Sequence, residues 1–247
     1  MKVIAVVNAR STSSRLPGKC FEIILDGLMA FQIVIRRARL IGIDVVFGTS
    51  DDPSDDRLAE LAAGEGVEVF RGARLHKIKR WHDCLGEYGA DGMVCVDGDD
   101  LAFDYDIARR ASGLIPSGRA DVYEAPPDTV CGLFTYALTR EAVAKMYALA
   151  PDPETDSDVI AEFIKKAGLK CEEIALKDNE RGADVRLTLD YPEDAEFFRR
   201  LYEIVPLDTP GPDIVAAVLE NGLNKINWHR NQEWAANQRR FNEGVDL

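Results

Sequence analysis

The stretch VIAVVNARSTSSRLPGK, residues 3–19, decides the fold class. An apolar run from Val3 to Val7 predicts a buried strand, and the polar segment after it holds two arginines, a lysine, four hydroxyl side chains and a Pro-Gly turn. A strand followed by a loop of cations and hydrogen-bond donors is how α/β proteins hold phosphate. The alternative interpretation is an ordinary polar turn on a solvated edge.

Short apolar runs alternate with helical patterns through the first two thirds of the chain, which predicts parallel strands joined by crossover helices. Strands are expected at 21–25, 43–50, 67–72 and 92–98, and helices at 28–42, 54–63, 75–88 and 104–114. Two strand-like runs then follow one another around residues 121–136, which predicts an antiparallel extension. Further helices are expected at 139–150, at 156–168 and from Pro192, and further strands at 171–176 and 185–189.

These patterns predict one domain, residues 1–247, with a three-layer α/β/α architecture and a mostly parallel sheet. The sequence shows no linker, repeat or clear domain boundary. The segment from about residue 224 is polar and rich in Trp, Asn and Arg. We expect it to pack either on the core of its own chain or on a partner subunit.

Composition excludes several function classes. The formal net charge is −13 and no basic stripe occurs, so nucleic-acid binding is not expected. No stretch approaches the roughly 20 apolar residues of a membrane span. The five cysteines include no C-x-x-C pair, which favours reduced thiols in a cytoplasmic protein.

Carboxylates follow two of the predicted strands. Asp97, Asp99 and Asp100 end or follow the strand at 92–98, and Asp190 follows the strand at 185–189. Ligands of open α/β sheets sit at the carboxyl ends of strands, and Mg²⁺ takes one or two carboxylates plus waters and phosphate oxygens. Turn chemistry and helix capping are the alternative explanations for each aspartate taken alone. Together with the cationic loop, they predict a metal–triphosphate site.

These residues resemble a known family. NARSTSSRLPGK is similar to the A-R-x-G-S-T-R-L-P-G-K loop of the cytidylyltransferases that activate 3-deoxy-manno-octulosonate (KDO), and closer still to their relatives called spore coat polysaccharide biosynthesis protein F. VDGDDLAFD resembles V-T-G-D-C-P-L-I-D, and RLTLDYPEDAEFFRRLYE resembles R-L-T-V-D-x-P-E-D-L-x-x-x-R-x-x-Y-E. Arg71 and Arg80 fall where the family has R-G-S-x-x-D-V-L-x-R. The order of elements agrees over roughly residues 1–225.

The resemblance implies a Rossmann-like, GT-A-like nucleotide-diphospho-sugar transferase fold and a Mg²⁺-dependent cytidylyltransferase, with surface polysaccharide or glycan biosynthesis as its setting. A hydroxyl of a small acidic sugar would attack the α-phosphate of CTP, and pyrophosphate would leave. It implies catalytic roles for Arg10, Lys19, Asp99 and Asp190, with Asp99 and Asp190 as metal ligands. The implied nucleotide-binding residues are Ala9, Arg10, Ser11, Thr12, Ser13, Arg15, Lys19, Arg71, Arg80 and Asp97. The resemblance and the apolar segment Phe134–Tyr136 also lead us to expect a homodimer.

The chain departs from the family pattern at several positions, and alternatives remain open. Thr12 stands where the family has glycine, Leu101 where it has proline, and residues 153–160 read PETDSDVI in place of R-E-H-V-T. Asp97-Gly98-Asp99 is also the D-x-D pattern of a GT-A glycosyltransferase that uses a nucleotide sugar. A nucleotidyltransferase for another base or sugar, and a member without catalytic activity, are the other readings. The sequence does not name the sugar.

Overall fold

The protein is described by a computed structural model that covers residues 1–13, 15–182 and 184–243, with side chains described as far as residue 237. A seven-stranded sheet organises it in the order β5-β4-β1-β6-β8-β7-β9. The strands are β1 (Val3–Asn8), β2 (Ile23–Leu25), β3 (Leu28–Met29), β4 (Val45–Ser50), β5 (Glu68–Gly72), β6 (Gly92–Asp97), β7 (Val122–Glu124), β8 (Tyr136–Thr139) and β9 (Cys171–Glu173). Strands β2 and β3 form a separate antiparallel pair.

Helices cover both faces of the sheet. They are α1 (Ala30–Arg39), α2 (Asp56–Gly64), α3 (Lys77–Glu87), α4 (Tyr105–Leu114), α5 (Arg140–Leu149), α6 (Ile160–Lys166), α7 (Pro192–Ile204), α8 (Gly211–Glu220), α9 (Asn224–Asn227) and α10 (Asn231–Glu243). Several begin at the residue types that cap helices: Asp104 accepts a hydrogen bond from Ile107 N at 2.7 Å, and Thr139 accepts one from Ala142 N at 3.1 Å.

The central strand β1 shows why the domain has three layers. Its residues Ile4 to Val7 are all at most 1% exposed, and they alternate between two hydrophobic cores. Ala5 and Val7 join the core built with α1, α2, α4, α7 and α8, whereas Ile4 and Val6 join the core built with α3, α5 and α6. A strand buried on both faces reads as a continuous apolar run, which is the pattern that opens the sequence.

The predicted fold class is confirmed. Strands β5, β4, β1 and β6 are parallel, and β8 adds to β6 in the antiparallel direction, as expected for the segment around residues 121–136. Several boundaries differ. The helix expected at 28–42 begins at Ala30, because Leu28 and Met29 pair with β2 instead, and the helix expected at 156–168 is the shorter α6.

The strand predicted at residues 185–189 is wrong. That segment is extended but joins the rest through single contacts: Leu187 N donates to Cys131 O at 2.9 Å, and Leu189 N donates to Asp99 O at 2.8 Å. A lone bridge between Cys131 and Arg186 replaces a ladder. Gly132, at φ 91°, allows Leu187 to approach so closely that a side chain there would collide with its carbonyl. The segment therefore fills a gap beside the sheet, and its apolar alternation reflects burial rather than strand pairing.

Asp194 fixes the turn between this extended segment and α7. Its carboxylate pairs with the guanidinium of Arg186 at 2.5 Å, and both side chains are fully buried. It also accepts the backbone N–H groups of Asp190 and Tyr191, each at 2.9 Å, and the side-chain amide of Asn227 at 2.9 Å. The position of Asp190 therefore depends on this buried ion pair.

The C-terminal segment packs on its own chain. Asn227 is fully buried, and Arg230 donates to Glu193 Oε1 at 3.0 and 2.9 Å. In the described part, residues from 224 onward therefore contact the core of their own chain, and packing on a partner subunit stays a prediction. Residues 244–247 lie outside the described residues.

The apolar segment Phe134–Tyr136, one of the two grounds for expecting a homodimer, does not support that expectation. Phe134 is 6% exposed, and its ring centroid lies 6.5 Å from that of Phe103 in the same chain, so its apolar surface is already covered. The homodimer stays a prediction from the resemblance. Within the described ranges, no helix has the length and apolar character that crossing a bilayer requires.

We predict that Asp194→Ala lowers the free energy of unfolding by about 3–5 kcal/mol, because it leaves the Arg186 guanidinium buried without its partner. Urea denaturation of the ligand-free protein measures this. Glu196→Ala on the same helix is the control, because its 2.9 Å pair with Arg200 is exposed and such pairs contribute less than about 1 kcal/mol. Equal losses in the two variants would contradict the prediction.

Candidate active site

A crevice opens where the connections from β1 and β6 diverge. The chain leaves β1 towards α1 and β4, whereas β6 lies on the other side of β1. Asn8 and Asp97, which end these strands, are partners in register. Gly98 N donates to Asn8 O at 2.8 Å, and a Cβ on Gly98 would stand 2.6 Å from that oxygen, so only glycine fits. Open α/β sheets bind ligands at such topological switch points.

Asp55 holds the start of the opening loop, which we define as residues 9–19. Its carboxylate accepts hydrogen bonds from Ser11 N at 2.7 Å and from the Thr49 hydroxyl at 3.0 Å. Burial acts to raise the pKa of Asp55, but hydrogen bonds from Ser11, Ser50 and Thr49 outweigh it and bring the pKa below its usual value. The Ser11 hydroxyl also donates to Ser54 O at 2.9 Å. An ionised carboxylate therefore fixes the loop against the end of β4.

Lys19 bridges the two aspartates that the sequence singles out. Its Nζ lies 2.5 Å from Asp99 Oδ2 and 2.9 Å from Asp190 Oδ1. Arg15 NH2 lies 2.8 Å from the same oxygen of Asp190. Burial acts to lower the pKa of Lys19, but the two carboxylates outweigh it and raise the pKa, so the ammonium stays charged. The opening loop and both aspartates thus meet at one point.

Asp97 belongs to a second ion pair in the same crevice. Its Oδ1 lies 2.7 Å from Lys77 Nζ, and its Oδ2 accepts the Thr135 hydroxyl at 3.2 Å. Lys77 also stands 5.2 Å from the ring centroid of Trp81, a cation–π distance. Lys77 comes from the start of α3, and Thr135 lies just before β8. Two further elements therefore contribute side chains to the crevice.

The pKa values of two neighbouring carboxyl groups in the crevice, Asp99 and Asp100, are shifted in opposite directions. Burial acts to raise the pKa of Asp99, but the charge of Lys19 outweighs it and the pKa falls below its usual value. Burial raises the pKa of Asp100 far above its usual value, and the charges of Asp99, Asp97 and Asp190 add to the effect. Lys19 therefore favours the ionised form of Asp99, whereas burial and the neighbouring carboxylates oppose ionisation of Asp100.

Arg10 and Arg80 lie on the other side of the crevice. Arg10 donates to Asp158 Oδ2 at 2.7 Å and to Arg74 O at 2.8 Å. Arg80 NH1 donates to the carbonyls of Ala73 and Arg74 at 2.6 and 3.0 Å, and its buried Nε has no hydrogen-bond partner among the described residues. Burial and the charge of Arg10 lower the pKa of Arg80 to about 10. The Nε–H of Arg80, unpaired in the described part of the chain, is therefore a candidate donor to a bound anion.

These groups surround a cavity of about 1320 Å³. The candidate residues that line it are Ala9, Arg10, Ser11, Thr12, Ser13, Arg15, Lys19, Arg80, Asp97, Asp99 and Asp190. Its volume exceeds the about 300–1,000 Å³ usual for one drug-sized ligand, which leaves room for two substrates.

Arg71 is the candidate that the structure does not bring to the cavity. Its guanidinium donates to Ser50 O and to Asp52 O, each at 3.0 Å, and pairs with Asp56 at 2.7 Å. In this arrangement it ties β5 to the loop between β4 and α2.

Several residues at the cavity were missed by sequence reasoning. Asp55, Lys77 and Asp158 act as ion-pair or hydrogen-bond partners, and Trp234 and Asn237 reach the cavity from α10. Asp158 lies in the segment 153–160, where the chain departs from the family pattern, and Lys77 lies in ARLHKIKR, residues 73–80, which lacks the acidic D-V-L of the family segment. These departures were the available signals. For the residues of α10, no sequence motif indicated a place at the site.

The donor set fits a magnesium ion. In the described part of the chain, no three histidine, cysteine or carboxylate groups are arranged to hold a metal by themselves. Mg²⁺ needs only one or two carboxylates when phosphates and water complete its shell. Asp99 and Asp190 supply two carboxylates that already converge on one cation, the ammonium of Lys19.

Known proteins similar in sequence bear out the resemblance. The spore coat polysaccharide biosynthesis protein SpsF of Bacillus subtilis is 24% identical over 234 residues, which cover 90% of this chain and 94% of that protein. The 3-deoxy-manno-octulosonate cytidylyltransferase of Acinetobacter baumannii is 29% identical over 121 residues, 44% of each chain. No model of a protein family matches the sequence.

Solved structures show the same fold. A cytidylyltransferase from Leptospira borgpetersenii superposes with a TM-score of 0.80 at 24% identity, over 91% of this chain and 96% of that one. A CMP:2-keto-3-deoxy-manno-octonic acid synthetase in complex with CTP superposes with a TM-score of 0.61 at 22% identity, over 82% and 99%. The chain is thus similar in sequence to cytidylyltransferases and shares the fold of these two solved structures, as the sequence predicted.

We predict that Asp100→Asn raises the melting temperature of the ligand-free protein at pH 7. The raised pKa means that folding opposes ionisation of this carboxyl, so the aspartate destabilises the fold above pH about 4, where the unfolded chain ionises it. Thermal melts from pH 3 to pH 8 test this, and the gain should vanish at the acid end.

Asp44→Asn is the matched control, because Asp44 has a 75% exposed side chain and directly precedes β4, at the end of the parallel strands opposite the crevice. It changes the net charge equally and should leave the melting temperature nearly constant. A gain for Asp100→Asn that persists unchanged at pH 3 would contradict the electrostatic explanation.

Proposed function

We propose that this protein transfers CMP from CTP to a hydroxyl of a small acidic sugar and releases pyrophosphate. The observation that carries the proposal is the meeting of Arg15 and Lys19 with Asp99 and Asp190 in one cavity at the switch point. Phosphate-binding cations and metal-binding carboxylates are the two components that a nucleoside triphosphate requires. The cytidylyltransferase names of relatives and structural neighbours support CTP as the nucleotide.

Nucleotide binding would exchange the partners of the loop cations. Arg15 and Lys19 pair with aspartate carboxylates, and the phosphates of CTP would replace those carboxylates as their partners. Arg10 can present its planar fork to two phosphate oxygens once it leaves Asp158. These cations would then hold the β- and γ-phosphates and stabilise the charge that develops on pyrophosphate as the bond to the α-phosphate breaks.

Asp99 and Asp190 would hold Mg²⁺ after Lys19 withdraws from between them. When bound, the ion supplies positive charge to the phosphate oxygens. The remaining work would fall to the chain, whose backbone amides and hydroxyls in the opening loop would orient the triphosphate. No histidine among the described residues lines the cavity, so acid–base catalysis by imidazole has no part in the proposal.

An acidic acceptor is supported by Arg80. Each of the other cations in the cavity wall pairs with a carboxylate, as Arg10 does with Asp158 and Lys77 with Asp97. Among the described residues, Arg80 donates hydrogen bonds only to carbonyl oxygens. Its charge is therefore left to pair with a phosphate or a sugar carboxylate. The name of the Bacillus subtilis relative supports polysaccharide biosynthesis as the setting.

The substrate test combines the four nucleoside triphosphates with a panel of ulosonic acids, nonulosonic acids and neutral sugars, with pyrophosphate release as the readout. We expect release with CTP and an acidic sugar. Release of a nucleoside diphosphate from a nucleotide sugar, without pyrophosphate from any triphosphate, would instead identify a glycosyltransferase.

We predict that Lys19→Met and Asp190→Asn each slow pyrophosphate release by about 10²-fold or more at saturating nucleotide, because each removes a charge that stabilises the transition state. Steady-state assays measure this, and circular dichroism verifies folding.

Lys145→Met and Asp44→Asn are the controls for these two changes. Lys145 forms an exposed 3.2 Å pair with Asp121 away from the cavity. Asp44 directly precedes β4, at the end of the strands opposite the cavity. Both should retain near-normal turnover. Normal turnover in Lys19→Met and Asp190→Asn as well would contradict the prediction and favour the alternative interpretation of the opening loop as an ordinary polar turn.

A further inference from the structure

The helix α10 brings an indole to the proposed metal-binding carboxylate. Trp234 lines the cavity, and its Nε1–H donates to Asp190 Oδ2 at 3.0 Å. The other oxygen of that carboxylate, Oδ1, accepts from Lys19 at 2.9 Å and pairs with Arg15 at 2.8 Å. The two oxygens therefore have separate roles: one faces the cations of the opening loop, and the other is held by Trp234.

Other contacts fix the helix around this tryptophan. Asn237 Nδ2, one turn further along α10, donates to the Tyr191 hydroxyl at 3.0 Å. The Arg186 guanidinium, paired with Asp194, lies 6.0 Å from the centre of the Trp234 ring. The indole thus lies near the Arg186–Asp194 ion pair, whose Asp194 carboxylate accepts the backbone N–H of Asp190. Its direction is set by contacts on both sides.

We propose that Trp234 is a positioning residue, whose indole N–H locks the Asp190 carboxylate in the rotamer that turns Oδ1 toward the cavity. The inference rests on the proposed function, in which Asp190 is a metal ligand. A carboxylate with both oxygens free would lose torsional freedom on binding an ion, whereas a pre-oriented one loses less. Loss of a hydrogen-bond donor to a metal ligand typically weakens metal binding by about 10–100-fold.

The experiment compares Trp234→Phe with Trp228→Phe. The first change keeps an aromatic ring and removes the N–H. The second removes another partly buried tryptophan from the same C-terminal segment, one that does not line the cavity. The probe is Mn²⁺ in the presence of saturating CTP, with free Mn²⁺ quantified by electron paramagnetic resonance and tryptophan emission recorded in the same titration.

We expect Trp234→Phe to raise the Mn²⁺ dissociation constant about 10-fold with little change in melting temperature. Trp228→Phe should bind Mn²⁺ like the wild type and keep an emission change on titration, whereas Trp234→Phe should lose most of that change. A role in packing alone would lower the melting temperature without a specific loss of Mn²⁺ affinity.

Three outcomes would overturn the inference. Wild-type Mn²⁺ affinity in Trp234→Phe would show that the N–H does not orient the ligand. An equal loss of Mn²⁺ affinity in Trp228→Phe would show that the loss does not come from the N–H at Asp190. If the wild type binds no Mn²⁺ with CTP, the proposed metal site itself is wrong; the first two outcomes leave that site intact, so the two failures are distinguishable.

Discussion

Charge balance in the crevice between β1 and β6 is the constraint on which the site depends. The carboxylates of Asp97, Asp99, Asp100 and Asp190 all line one cavity. Without counter-charge they would repel one another in surroundings that screen charge poorly. Lys19 supplies this counter-charge from the opening loop, which Asp55 in turn holds in place. The same cations that suit a triphosphate therefore also stabilise the ligand-free protein.

Under the proposed function, this arrangement would make substrate binding an exchange of ion-pair partners. The anion and the cations that receive it do not meet as free charges, since Lys19, Arg15 and Arg10 already lie on carboxylates. A metal ion that accompanies the triphosphate would replace the ammonium between Asp99 and Asp190. The metal would offset part of the charge of the triphosphate, so the two together would add less negative charge to the cavity than the triphosphate alone.

The parts of the structure that were predictable from the sequence are those governed by local pattern. The apolar run Val3–Val7 indicated a strand buried on both faces, and alternating periodicity indicated parallel strands with crossover helices. Motif spacing placed the opening loop and the aspartates Asp99 and Asp190 together, and the structure brings them within ion-pair distance. The opening loop and Asp99 directly follow the apolar strands β1 and β6, so a short local pattern is enough to locate them.

The parts that failed depend on contacts between distant segments. Residues 185–189 have the apolar alternation of a strand, but the edge they approach offers only isolated partners, so no ladder forms. Arg71 stands in a family motif, yet nearby carbonyls of the β4–α2 loop hold its guanidinium away from the cavity. Trp234 lies in a polar segment without a motif, and only the packing of α10 shows that it reaches Asp190.

The long separation between the members of the site has a consequence for how the protein is made. Lys19 and Asp190 are 171 residues apart in the chain, and Trp234 comes later still. During synthesis the opening loop and β1 leave the ribosome long before Asp190 exists, so the nascent chain carries loop cations without one of their carboxylates. Domains fold as units after most of their residues have emerged, and long-range closure is the slow step. Assembly of this cavity is therefore a late event of translation, because it waits for residues from both ends of the chain.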